Sequence, residues 1–461
     1  MNQLRTRLED RQGTAAVIGL GYVGLPLAME IWAAGFNVIG IDLDRHKVGR
    51  LKQGKSYIPD VPDRTLDTAV RSGRFTATCD FGVLAEAATV SICVPTPLSK
   101  SRDPDISYIL AATAEIRKYL RAGQLIVLES TTYPGTTEEL ILPELASSGL
   151  KVGADFFVAF SPERIDPGNT LFNTRNTPKI IGGITPQCTE LARLFYAQFI
   201  ERVITVSSSK CAEMVKLLEN TFRSVNIGMV NELAQMCDLL GVDVYEVIDA
   251  AATKPFGFSP FYPGPGLGGH CIPVDPHYLA WKLKALNFQA RFIGLAAEIN
   301  GMMPAFVTNL VADGLNRASK SIRGSKILVL GVAYKKNVGD CRESPALDVM
   351  RQLSDKGAML SYNDPYVPSV RLNGELLKSM ELSPADIAGQ DCVIILTDHS
   401  AYDIRQIVAA SKLVVDTRNA TKDLHEFKGR IIKLGAGNNA AKIKGGDDEH
   451  DHSPAERTGA H

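Results

Sequence analysis

Residues 14–42 constrain this chain more than any other stretch. A short apolar, β-prone run at 14–19 leads into Gly19-Leu20-Gly21-Tyr22-Val23-Gly24, then a helical pattern through Ala34, then a second apolar run at 37–41 that ends on Asp42. The order is strand, glycine turn, helix, strand, acid. Glycines permit the tight turn and the close approach of backbone to a pyrophosphate, and the start of the helix supplies oriented N–H donors. Asp42 suits both hydroxyls of an adenosine ribose and repels a 2′-phosphate, so NAD is expected rather than NADP, with Lys47 nearby in sequence.

Further apolar runs at 89–94, 125–128, 156–160 and 179–181 alternate with helix-like stretches, the pattern of a doubly wound parallel sheet occupying residues 1–206. From 210 to 240 the pattern is long and helical, with Met214, Leu217, Leu218, Phe222, Val225, Met229, Leu233 and Met236 on one apolar face. Residues 254–276, KPFGFSPFYPGPGLGGHCIPVDP, hold too much Pro and Gly for helix or strand. A loop this long inside a compact domain, with Phe, Tyr, Cys and His interleaved, reads as functional. More helix is expected at 276–319, closing a central helical part at 207–318. Runs at 326–330, 359–362, 392–396 and 412–415 then mark a second α/β series at 319–440. It lacks GxGxxG, so a ligand there is held differently. Residues 441–461 are polar and charged, and are expected to be a disordered tail whose three histidines are solvated. The expected fold class is α/β, with two Rossmann-like doubly wound domains joined by a long central helix.

Composition removes several function classes. Lys and Arg number 50 against 51 Asp and Glu, so no broad attraction to nucleic acid or anionic lipid is expected. The N-terminal MNQLRTRLEDRQG lacks the apolar centre of an export signal, and Pro26, Glu30 and Asn37 interrupt residues 15–41, the most apolar stretch. A cytoplasmic protein off the membrane is expected. The eight cysteines have no paired spacing, which suits buried thiols in a reducing compartment. No metal site is expected, since His270, Cys271 and His277 match no standard zinc spacing.

Four further segments carry chemistry. In Leu128-Glu129-Ser130-Thr131-Thr132-Tyr133-Pro134-Gly135-Thr136, hydroxyls such as Thr131 follow a strand and can orient a nicotinamide or a water, or the segment simply caps a helix at Thr136 or Thr137. Phe160-Ser161-Pro162-Glu163-Arg164 puts a carboxylate and a guanidinium on the same edge; an isolated Glu–Arg pair would be a surface salt bridge. Lys216 and Asn220, four apart, share a helix face, against a solvated Lys216 beside Glu213 and Glu219. Cys271, after Gly268-Gly269-His270, is unshielded by neighbouring side chains, with Asp275 four residues on; the bland alternative is a buried loop thiol.

Together GLGYVG, STTYPGT, FSPER, KLLEN and GPGLGGHCIPVDP resemble the UDP-glucose/GDP-mannose dehydrogenase family, in order and spacing, to about residue 430. The 254–282 segment is most similar to the bacterial branch acting on UDP-N-acetylhexosamines, particularly UDP-N-acetylglucosamine 6-dehydrogenases. The resemblance implies oxidation of a sugar C6 alcohol to a carboxylate by two NAD⁺ and one water, through a cysteine thiohemiacetal and thioester. It implies Cys271 as nucleophile, Lys216 and Asn220 stabilising oxyanions and holding water, Asp275 and Thr131 in the water network, and Glu163 assisting thioester hydrolysis. Lys216 as base of the first oxidation stays open. For NAD it implies Gly19, Gly21, Tyr22, Val23, Gly24, Asp42, Lys47, Thr96, Thr131 and Arg342. For the nucleotide sugar it implies Tyr262, Gly268, Tyr334, Lys335 and Arg418, with Glu163, Arg164, Lys216 and Asn220 near the reacting end. Thr253-Lys254-Pro255-Phe256 stands where some UDP-glucose members carry an Arg, which fits an acylated sugar.

The resemblance also implies a homodimer or higher assembly through the 210–240 helix, and a uronic acid made for surface polysaccharide. UDP-N-acetylglucosamine is the first substrate expected, UDP-N-acetylmannosamine the second, UDP-glucose the third. Two other readings stand beside it. A two-electron hydroxyacid dehydrogenase would have no use for Cys271, and a non-catalytic nucleotide-sugar sensor would bind without releasing NADH.

Overall fold

The computed structural model describes residues 1–99, 103–166, 168–169, 171–269 and 271–438. His270 and the 441–461 tail lie outside the described residues. The chain divides into two compact units, Met1–Phe222 with Val274–Ala290 and Arg223–Pro273 with Arg291–His461.

The first unit is built on eight strands: β1 (Thr14–Ile18), β2 (Asn37–Ile41), β3 (Phe75–Thr78), β4 (Ala87–Ile92), β5 (Gln124–Leu128), β6 (Phe156–Phe160), β7 (Lys179–Gly183) and β8 (Val203–Thr205). Their order is β3-β2-β1-β4-β5-β6-β7-β8. β4, β5, β6 and β7 are buried along their whole length, as strands covered on both faces must be. Strand order reverses between β1 and β4, the place where open α/β sheets leave a crevice at their carboxyl ends. One expectation is corrected: the sheet is not wholly parallel. β7 runs antiparallel to β6, with Phe160 opposite Gly182, before β8 resumes parallel to β7. An N-terminal helix, Asn2–Glu9, buries Leu4 and Leu8 in this unit's core.

The long helix spans Ser209–Leu240. Its expected apolar face is divided: Leu217 is buried, whereas Met214, Leu218, Phe222, Met229 and Met236 are exposed. The helix expected at 276–319 is two helices, Asp275–Lys284 and Arg291–Arg317. Asn287 separates them in the left-handed region at φ 56°, with its N–H bonded back to Lys284, a helix-ending geometry that Asn tolerates.

The second unit holds a five-stranded parallel sheet of β9 (Lys326–Leu330), β10 (Met359–Asn363), β13 (Cys392–Ile395), β14 (Val414–Asp416) and β15 (Ile431–Lys433), in the order β10-β9-β13-β14-β15. Between β10 and β13 lies a hairpin of β11 (Ser369–Leu372) and β12 (Glu375–Lys378). Its turn is Asn373-Gly374 with φ 49° and 88°, the twist that matches two antiparallel strands. No described helix is long and apolar enough to cross a membrane.

Candidate active site

The glycine turn sits at the crevice between β1 and β4. Gly19 has φ 89°, and a Cβ there would lie 2.5 Å from the Cys93 carbonyl oxygen. A Cβ on Gly24 would strike the Gly19 carbonyl oxygen at 1.8 Å. At Gly21, by contrast, no described heavy atom lies within 4 Å of that position, so the open side of the turn is free for a ligand. Helix Gly24–Ala33 begins here with no side-chain cap among the described residues, an N-terminus suited to phosphate. Val23 stands at its N-cap and Tyr22 is exposed beside it. Asp42, one residue past β2, accepts the Leu20 N–H at 3.0 Å and the Asp44 N–H at 2.9 Å. Its carboxylate is thus aimed back at the glycine turn, with Lys47 Nζ 3.9 Å away. Thr96, past β4, is buried, and its carbonyl accepts the Tyr278 hydroxyl at 2.8 Å. These residues fit a dinucleotide.

Along the same carboxyl edge the structure brings four further candidates together. Lys216 is only 7% exposed and its Nζ donates to the Glu163 carbonyl at 2.6 Å, which excludes the solvated alternative. One turn on, Asn220 Nδ2 donates to Asp275 Oδ2 at 2.5 Å. Burial raises the Asp275 carboxyl to about 6, against the opposing pull of Lys216 and the Asn220 hydrogen bond. Glu163 Oε1 accepts from the N–H groups of Arg164 and Ile165. Burial presses this carboxyl up, but Lys179, those N–H groups and Lys216 more than offset it, leaving it below the ordinary range. Arg164 does not pair with Glu163; its guanidinium bridges Glu219 at 2.6 Å and the Pro178 carbonyl. Thr131 is half-buried past β5. The segment that carries it is tied down by Glu213, whose carboxylate accepts N–H from Gly135 and Thr137 and the Thr137 hydroxyl.

The second unit contains the glycine-rich loop with Cys271, which is half-buried. Gly268 and Gly269 lie against Tyr334, where a Cβ would fall 2.6 Å and 2.9 Å from its side chain. The Gly269 N–H donates to the Arg342 carbonyl, and Gly264 faces the Arg418 guanidinium. Arg418 itself is fixed through Nε to the Leu396 carbonyl at 2.8 Å. Tyr334, Arg418 and the loop are therefore gathered, with Lys335 half-buried beside them in sequence. Two candidates are engaged elsewhere: Tyr262 is 49% exposed with its hydroxyl on Asp249, and the Arg342 guanidinium clasps Asp340 of its own loop.

Sequence reasoning missed four residues: Glu129, Lys179, Tyr196 and Glu213. Lys179 opens β7 yet is buried against Glu129 at 2.6 Å, and Tyr196 bonds the other oxygen of Glu129. The available signal was a charged residue at the margin of an apolar run, at Glu129 after LIVL and at Lys179 before IIGG. Among the described residues, no group of three or more His, Cys, Asp or Glu is placed to hold a metal ion.

Residues 14–200 match the NAD binding domain of the UDP-glucose/GDP-mannose dehydrogenase family, 210–302 its central domain and 328–423 its UDP binding domain. The chain is 37% identical over 434 residues to UDP-N-acetyl-D-mannosamine dehydrogenase of Methanococcus maripaludis, covering 91% of this chain and 96% of that one. It is 36% identical over 421 residues to NDP-N-acetyl-D-galactosaminuronic acid dehydrogenase of Ralstonia nicotianae, covering 88% and 95%. The solved structure of UDP-D-ManNAc dehydrogenase from Pyrococcus horikoshii superposes with a TM-score of 0.84 at 34% identity, covering 92% of this chain and 100% of that one. The chain belongs to the UDP-glucose/GDP-mannose dehydrogenase family and is an NAD-dependent UDP-sugar dehydrogenase.

Proposed function

We propose that this enzyme oxidises the C6 hydroxyl of a UDP-N-acetylhexosamine to the carboxylate, with two NAD⁺ and one water per sugar and Cys271 as covalent carrier. The observation that carries the reading is the group of buried Lys216, Asn220 and Asp275 with half-buried Glu163, whose members are linked in pairs. A buried ammonium beside a water-holding amide and two carboxylates suits a carbon that passes through oxyanionic intermediates.

Bound NAD supplies the hydride acceptor. Gly19, Gly21, Tyr22, Val23, Gly24, Asp42, Lys47, Thr96 and Arg342 are assigned to holding it. The Cys271 thiolate adds to the aldehyde carbon and keeps it as a thiohemiacetal, which becomes a thioester at the second oxidation. Lys216 is assigned to the oxyanion. Asn220, Asp275 and Thr131 order the water that cleaves the thioester, and Glu163 takes the water's proton as the acid is released and the thiol re-formed. Asp275, poised near 6, can exchange protons with that water at neutral pH. Tyr262, Tyr334, Lys335 and Arg418 are assigned to the UDP-sugar, with Gly268 letting the loop close on Tyr334.

The division into a cofactor domain at 1–206, a central domain at 207–318 and a UDP domain at 319–440 follows from this assignment. For the sugar, we take UDP-N-acetyl-D-mannosamine first, because similar proteins bear that name, ahead of UDP-N-acetylglucosamine and UDP-glucose. The product suits a surface polysaccharide. The exposed Leu218, Phe222 and Met229 of the long helix support a homodimer through that face. Leu218→Glu with Met229→Glu should shift the particle mass in light scattering to that of one chain; an unchanged mass removes this face from the interface. The chemistry is tested by Cys271→Ser. The variant should release no more than one NADH per site and form no covalent sugar adduct, whereas full turnover would exclude the thioester route.

A further inference from the structure

Beneath the Glu163 loop lies a charged cluster that the chemistry above does not use. Lys179 is 4% exposed, and its Nζ stands 2.6 Å from Glu129 Oε2 and 3.5 Å from Glu163 Oε2. The ammonium also lies over the Tyr196 ring, 5.5 Å from its centre, while the Tyr196 hydroxyl bonds the second oxygen of Glu129. One buried cation therefore serves two carboxylates. Glu163 is held at three points: Lys216 on its carbonyl, two backbone N–H groups on Oε1 and Lys179 on Oε2.

Of the cations in this neighbourhood, Lys179 acts on the Glu163 carboxylate more strongly than Lys216 does. Lys216 reaches the carbonyl rather than the carboxylate, and Arg164 is engaged by Glu219. Cys93, past β4, is a buried thiol pushed well up by burial and by Glu129, so it stays neutral. Tyr196 is likewise pushed up and stays a hydroxyl. Glu129, which is buried and feels the Glu163 charge, is pushed up despite its bond to Lys179, while the two carboxylates push Lys179 up.

We propose that Lys179 is a positioning residue for Glu163: it holds that side chain as an anion at the β6 edge, while Glu129 and Tyr196 anchor the ammonium from the other side. The proposal rests on the assignment of Glu163 to thioester hydrolysis. Without the ammonium, the buried Glu129 and the half-buried Glu163 carboxylates have no cation between them, and the pair takes up a proton. A Glu163 that holds a proton cannot accept one from water.

The test compares four variants of the full-length enzyme with NAD and its UDP-sugar, by rapid quench, intact mass and the pH profile of kcat. Glu163→Gln should give a normal burst of NADH, then stall with sugar bound to Cys271 at every pH. Lys179→Met should give the same burst and adduct near neutral pH, slow kcat about 10-fold, and move the acidic limb of the profile up by about one pH unit. Lys179→Arg should restore both. Glu129→Gln frees the ammonium for Glu163 and should move the limb the other way, so the proposal is testable even if Lys179→Met does not fold. If Glu163→Gln turns over normally, the assignment of Glu163 fails. If Glu163→Gln stalls but the Lys179 and Glu129 variants keep the parent limb, Lys179 is merely structural and the proposal alone is overturned.

Discussion

The two sheets begin alike and then part. In the first, β1 ends at Ile18 opposite Ile41; Gly19 and Asp42 follow, and the acid accepts a backbone N–H from the turn. In the second, β9 ends at Leu330 opposite Asn363; Gly331 and Asp364 follow, and Asp364 accepts the N–H groups of Val332 and Ala333. Gly331, like Gly19, has positive φ (77°), and its Cβ would strike backbone just past the neighbouring strand, at Thr397, two residues beyond β13, where that of Gly19 meets Cys93, one residue beyond β4. The first glycine and the acid are thus properties of the fold. What differs is the use of the acid. The Asp42 side chain is 12% exposed at the crevice, whereas Asp364 is fully buried and bonded to His399, which in turn accepts the Asn337 N–H. One acid is left open to a ligand; the other braces the loop that carries Tyr334 and Lys335.

Alanine at the paired glycines is the severest test. Gly19→Ala and Gly331→Ala each force a positive φ and a backbone clash, and each should cost about 4 kcal/mol of its own unit's stability. Calorimetry should show the loss in both, but NAD titration should show a binding defect in Gly19→Ala alone.

The units should also respond oppositely to pH. Glu213, in the first unit, is raised by burial to about 7. Its folded form therefore binds a proton more tightly than the unfolded chain, so that unit loses up to about 3 kcal/mol as pH rises from about 4.5 to about 7. Asp364, in the second unit, is pushed up by burial, but hydrogen bonds from His399 and backbone N–H groups outweigh that and hold it below the ordinary carboxylate range. Its contribution is present at neutral pH and is lost as pH falls below about 4. Glu213→Gln should reduce that slope to the part contributed by groups such as Asp275 and leave the acidic loss of the second unit unchanged, and denaturant midpoints across pH would read it.

Asp42→Asn should weaken NAD by about 1–2 kcal/mol with the melting temperature unchanged, whereas Asp364→Asn should lower the melting temperature and leave NAD affinity alone. A melting-temperature loss in both would make the two acids equivalent and dissolve the contrast. Smallest of all, Lys47→Ala should change stability by less than about 0.5 kcal/mol, since its pairing with Asp42 is partly exposed.

What the sequence revealed follows the same contrast. The 14–42 segment was legible because its signature is contiguous, strand, glycine turn, helix, strand and acid in one run, even though Gly19 answers to Cys93 beyond β4 as well as to its own turn. The second cradle was only half legible, since Gly331 and Asp364 sit in no phosphate motif and are recognised by strand register. β3 and β8, FTAT and VIT, are too short to show a period, and no local pattern signals that β7 reverses direction. Lys179 was invisible because its partner is 50 positions away, and a lysine before an apolar run looks like an ordinary strand start. The division of the long helix's apolar face is hidden for a related reason: periodicity reports that a stripe is apolar, not what covers it. Cys271, by contrast, is legible from its flanking glycines and from family resemblance.

The central claim is a four-electron oxidation at one site, and the yield of NADH from a limiting UDP-sugar tests it most directly. With UDP-N-acetyl-D-mannosamine limiting and NAD in excess, two NADH per sugar, matched by one uronic acid, is the result expected. A single NADH per sugar with free aldehyde accumulating would contradict it.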